Sequence, residues 1–77
     1  MNISKFQQWI SEKYEQQDRK RGTPGTFMWF IEEVGELSTA LAGDDFENKQ
    51  EEFADVFAWL CTLASLAGVR MDEVVAK

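Results

Sequence analysis

Six carboxylates fall in two tight groups, Glu32-Glu33-Val34-Gly35-Glu36 and Glu51-Glu52-Phe53-Ala54-Asp55. Each group interrupts a segment that otherwise reads as buried helix. Acids placed against apolar surroundings are costly unless something cationic meets them. The spacing i, i+3 puts Glu33 with Glu36, and Glu52 with Asp55, on one helix face each. Oxygen donors in a chain with no histidine and one cysteine suit magnesium, manganese or calcium rather than zinc. A hard metal so held can polarise a phosphoryl group and generate hydroxide from bound water. The acids therefore read as a centre for phosphate chemistry. Glu32, one turn from Glu36, is left open as a ligand, an acceptor behind the ligands or an exposed acid. Glu12, Glu15, Asp18, Glu47 and Glu51 read as solvated acids.

The elements that must position these acids are helical. Residues 3 to about 20 form a first helix, with Ile3, Phe6, Ile10, Tyr14 and Gln17 on one face. Asn2 or Ser4 caps it, and Ser4 with Gln7 fits a capping box. Arg19-Lys20-Arg21 followed by Gly22 is a stop signal. The same cations could face a polyphosphate, and for Arg19 and Arg21 the two readings weigh equally. Residues 22–26 form a loop that lacks the Gly-Lys-Ser/Thr ending of a P-loop. A second helix runs to about Ala42, with Phe30, Val34, Leu37 and Leu41 toward the core. Trp29, Glu33, Glu36 and Ala40 form the adjoining stripe. Asp44 with Glu47 opens a third helix that runs to about Ala67. Its core stripe is Phe53, Val56, Leu60, Leu63 and Ala67, beside Asn48, Glu52, Asp55, Trp59 and Thr62. A third side is small throughout (Ala54, Ala58, Cys61, Ser65), which predicts close contact with a second layer, another subunit. Val69 to Lys77 begins a short fourth helix.

The short turn at Gly43-Asp44-Asp45 makes the second and third helices antiparallel neighbours. The centres of the two acid pairs lie at equal sequence distance from Asp44. Both pairs therefore sit at one height, roughly 14 Å above the turn at 1.5 Å per residue. A di-iron carboxylate bundle is excluded because it needs Glu-x-x-His on two helices. An EF-hand is excluded because the acids lie on helices and not in a loop.

With 77 residues the chain is one small domain, residues 1–77, and an all-α fold of this size has a marginal core. The fold expected is an antiparallel hairpin with an N-terminal helix and a short fourth helix, completed as a four-helix bundle by oligomerisation. A net charge of −6 argues against binding a nucleic-acid polymer. Much of that excess is local, since four of the 14 acidic residues are the two pairs, against 8 basic residues. The absence of a leader, a membrane-spanning run or paired cysteines favours a cytoplasmic setting, with no membrane partner.

Glu32-Glu33-Val34-Gly35-Glu36, then fifteen residues, then Glu52-Phe53-Ala54-Asp55 resembles the EExxE…ExxD signature of the MazG-like nucleotide pyrophosphohydrolases. Residues 25–30 and 54–60 are similar to the family as well, and the likeness covers nearly the whole chain. The paired motif is far more specific than EExxE alone. The resemblance implies helical subunits assembled as homodimers or homotetramers. It implies magnesium-dependent (or manganese-dependent) hydrolysis of nucleoside triphosphates between the α and β phosphates. Glu33, Glu36, Glu52 and Asp55 would be the metal ligands, and Glu32 would assist or position water. Trp29 and Trp59 flank the acids and are either core aromatics or platforms for a base. The family continues through a fuller fourth helix, whereas this sequence ends at Lys77, as a naturally minimal or a C-terminally shortened domain. A reading from another class is a non-catalytic helical module that binds nucleotide–metal or a protein partner.

Overall fold

Hydrophobic periodicity and two caps organise the computed structural model, which describes residues 1–76. Helix α1 spans Ile3–Ala42, α2 Phe46–Leu66 and α3 Met71–Val75. No strand occurs among the described residues. Asn2 caps α1 by accepting from the Lys5 amide at 2.8 Å. The capping box expected at Ser4 does not form, because the Gln7 side chain turns inward instead. Asp45, not Asp44, caps α2, accepting from the Asn48 amide at 3.1 Å. The helix thus starts one residue later than the spacing of Asp44 and Glu47 predicts.

The loop expected over residues 22–26 shrinks to a kink. Only Gly22 departs from helical geometry inside α1, at φ 76 and ψ 174. That region of backbone space is open essentially to glycine alone. Pro24 follows it in the first turn of the second arm, where its missing N–H leaves no helical bond unmade. The expected first and second helices are therefore two arms of one kinked element, residues 3–21 and 23–42. The expected fourth helix is α3, a single short turn.

The second arm and α2 form the hairpin. Trp29 and Trp59, equidistant from Asp44, stack with ring centroids 6.3 Å apart, which fixes the antiparallel register. The first arm folds back at Gly22 and packs on α2, with Phe6 stacked on Phe57 at 5.6 Å. Gln7 ties the arm to the C-terminal segment. Its amide nitrogen donates to the Val69 carbonyl at 2.8 Å and to Ser65 Oγ at 3.0 Å. Its carbonyl oxygen accepts from the Met71 amide at 2.8 Å.

The packing differs from expectation at the helix stripes. The small side of α2 meets the chain's own first arm at Cys61, which is buried, and at Ala58 and Ser65, which are half-buried, while Ala54 is exposed. The larger stripes are the ones left open. Val34, Leu41, Phe53 and Leu60 are exposed, Phe53 by 56%. Phe30, Leu37, Val56 and Leu63 are only half-buried, and Ala67 is exposed. On the first arm Ile10 is buried, but Tyr14 and Gln17 are exposed, and the inward positions are Gln7 and Asp18. A two-helix hairpin with one arm across it has a single covered face, and the other face of both helices meets solvent.

Candidate metal centre

Glu33 and Glu36 lie on the second arm of α1, and Glu52 faces them from α2. One carboxylate oxygen from each comes within 4.8 Å of the other two. That separation fits three oxygens around one divalent ion with ligand distances of about 2.0–2.6 Å. Asp55 stands outside this trio, one turn along α2, yet its charge acts on both Glu33 and Glu52. Glu32 points to the exposed side of the same turn and does not join the cluster.

The acids are in an uncompensated state. Glu33 Oε2 and Glu52 Oε2 are buried with no hydrogen-bond partner. Burial first, then the charge of Glu36 and a hydrogen bond shared with its carboxyl, then the charges of Asp55 and Glu52, push the Glu33 carboxyl up to about 7 from an ordinary 4.5. Burial, followed by the charges of Glu36 and Asp55, raises Glu52 as well. No cationic side chain pairs with any of the three among the described residues: the ion pairs are Arg19–Glu15, Arg21–Asp18, and Arg70 with Asp72 and Glu73. Buried, unpartnered oxygens on clustered acids fit a site that holds a cation. Hard, all-oxygen donors of this kind fit magnesium or manganese.

The family model of the MazG nucleotide pyrophosphohydrolase domain matches residues 23–77. The chain belongs to the MazG family. That family is one of nucleotide pyrophosphohydrolases, so the chain is a domain of a hydrolase family. No curated protein matches the chain. Among the described residues no helix is long and apolar enough to cross a membrane.

The flanking residues fall differently from one another. Trp29 and Trp59 stack on each other one turn beyond the acids, Trp29 half open to solvent at 48%. Arg19 points away and pairs with Glu15 on the surface at 2.9 Å. Arg21 is turned inward over Trp59, its guanidinium carbon 4.8 Å from the ring centroid. Asp18, which the sequence reads as a solvated acid, is buried and paired with Arg21. Burial is affordable here because the charge is met by a guanidinium. The i, i+3 spacing to Arg21 is the sequence signal for that pair, and it is shared by many surface pairs. Gln7 and Thr26, both buried, carry no such signal.

Proposed function

We propose that the domain is a magnesium-dependent nucleoside triphosphate pyrophosphohydrolase, giving nucleoside monophosphate and pyrophosphate. The observation that carries this is the trio Glu33, Glu36 and Glu52, whose oxygens share a 4.8 Å space with two of them buried and unpartnered. Glu33, Glu36 and Glu52, with Asp55 beside them, would hold the ion. When bound, magnesium or manganese supplies Lewis-acid polarisation of the phosphate and acidifies water. The chain's own acids orient the attacking water and take up its proton, and Glu32, the exposed first acid of the signature, assists or positions that water from the same turn. The oxygen adds to the α-phosphorus, the bond from that phosphorus to the bridging oxygen breaks, and pyrophosphate leaves. Trp29 and Trp59 form the wall on which the nucleoside end rests.

Two features of the whole chain support an assembled, cytoplasmic enzyme. The open apolar stripes on both hairpin helices fit a homodimer, or a homotetramer built from it, that completes a four-helix bundle. A free, buried Cys61 suits a reducing compartment. The acidic balance turns away nucleic-acid polymers.

The test is pyrophosphate release from a panel of ribo- and deoxyribonucleoside triphosphates with magnesium. The wild type turns over at least one of them, and Glu36→Gln and Asp55→Asn lose activity on the order of 10²-fold. Equal, background-level release from all three proteins contradicts the enzyme reading. Saturable nucleotide binding in calorimetry without release would then assign the non-catalytic module instead.

A further inference from the structure

Arg21 is the last residue before the Gly22 kink, and its guanidinium is held from several sides. Nε donates to Thr26 Oγ1 at 3.0 Å, and Nη2 donates to Asp18 Oδ1. Both acceptors are buried, Thr26 at 0% exposure and Asp18 at 7%. Gly25 leaves the necessary room, since a Cβ there would stand 2.8 Å from Arg21 Cγ. The guanidinium rests on Trp59, which stacks on Trp29, one turn from Glu33. Such fixing is unusual for a side chain with this much rotamer freedom.

The held arginine opens onto a cavity. Asp18, Arg21 and Trp59 line a space of about 370 Å³ together with Tyr14, Gln17 and Thr62. That volume lies within the range of small-molecule sites, about 300–1,000 Å³. Two of the five guanidinium donors are used by Asp18 and Thr26, and the rest have no hydrogen-bond partner among the described residues. The cavity thus combines an aromatic wall with free, charge-bearing donors, which suits an anionic ligand with a flat ring.

We propose that Asp18 is a positioning residue for nucleotide binding. With Thr26 it fixes the Arg21 guanidinium on Trp59, so that the free donors reach the phosphate chain of a nucleotide that lies between this cavity and the acids one turn beyond Trp59. The proposal rests on the nucleotide reading above and deepens it. A fixed guanidinium spares the ligand the entropy of ordering a long side chain, so the effect falls on affinity. A bare structural staple at the kink would instead change stability and leave nucleotide affinity alone.

The experiment is calorimetric titration of an α,β-methylene nucleoside triphosphate with magnesium into wild type, Asp18→Asn, Arg21→Lys and the double variant, with KM and kcat measured in parallel. The analogue is that of the panel's best substrate, and KM and kcat are measured with the parent nucleotide. Asp18→Asn and Arg21→Lys each weaken binding about tenfold and raise KM in step, while kcat stays within about threefold. The double variant binds no worse than the weaker single, because both changes remove one unit. Magnesium alone binds all four proteins alike. Arg21→Lys keeps the charge at a partly exposed side chain, so it decides the matter where Asp18→Asn fails to fold. Nucleotide affinity of the folded variants within about twofold of wild type, or additive losses in the double variant, overturns the positioning role. A wild type that binds magnesium yet neither binds nor cleaves any nucleotide overturns the functional reading, and the positioning role with it.

Discussion

At the residue scale the clustered acids oppose one another, burial and neighbouring carboxylates making Glu33 and Glu52 harder to ionise. Glu33 keeps its proton to about pH 7 because it is partly desolvated beside Glu36, Asp55 and Glu52. Its folded-state value lies above its ordinary 4.5, so the folded protein binds the extra proton between those limits. The stability this contributes is fully present below about 4.5 and is lost as pH rises through about 7. The metal-free protein therefore melts at a lower temperature at pH 8 than at pH 5.5, and saturating magnesium reverses the difference; differential scanning calorimetry at the two pH values reads it. The ion must displace the same proton. Magnesium affinity, measured by titration calorimetry, rises about tenfold per unit below pH 7 and levels off above it. Glu33→Gln removes both the charge and the proton. It raises the metal-free melting temperature at pH 8 and reduces pyrophosphate release on the order of 10²-fold. A variant that is less stable than wild type without metal contradicts this account of the site.

At the scale of the elements, the hairpin's register was legible because the two acid pairs are centred on Asp44, a centre the Trp29–Trp59 stack shares. A short turn between two amphipathic helices admits few other arrangements. The kink was legible only in part. Gly22 reads as a stop, yet a stop followed by Pro24 in a first helical turn gives a sharp bend and not a loop. Gly22→Ala should cost about 1–3 kcal/mol, because φ 76 with ψ 174 is closed to residues with a Cβ. Urea unfolding checks this, with the midpoint falling and the slope unchanged. The role of Gln7 was not legible. Its partners at Ser65, Val69 and Met71 lie far along the chain, and a glutamine on a helix gives no periodic signal. Gln7→Ala leaves the Val69 carbonyl and the Met71 amide without partners and should cost about 1–3 kcal/mol in the same experiment. Asp18 was hidden for the opposite reason: an acid at i, i+3 from an arginine has the look of an ordinary surface pair. Only the fold-back of the first arm buries it.

At the scale of the whole molecule, one chain does not cover its own apolar surface. Its accessible area is 5634 Å², against roughly 4,800 Å² expected for a monomer of this mass. Its radius of gyration is 13.1 Å, against about 11.5 Å for a compact chain of this length. The buried apolar residues are only Ile10, Ala40 and Cys61 among the described residues. The excess area is near the roughly 800 Å² that each partner gives to a standard interface. Light scattering should return at least twice the 8.9 kDa chain mass, and Phe53→Glu, placed in the open stripe, should lower both that mass and the melting temperature. A wild type that scatters as a stable 8.9 kDa monomer contradicts the assembly. Cleavage at the α-phosphorus by the acids the hairpin brings together is the reaction proposed for the domain. It is tested most directly by hydrolysis of a nucleoside triphosphate substrate in ¹⁸O-water with magnesium, followed by mass spectrometry of the products. Attack at the α-phosphorus places the label in the nucleoside monophosphate and leaves pyrophosphate unlabelled. Label in pyrophosphate or inorganic phosphate, or no cleavage of any triphosphate, would contradict it.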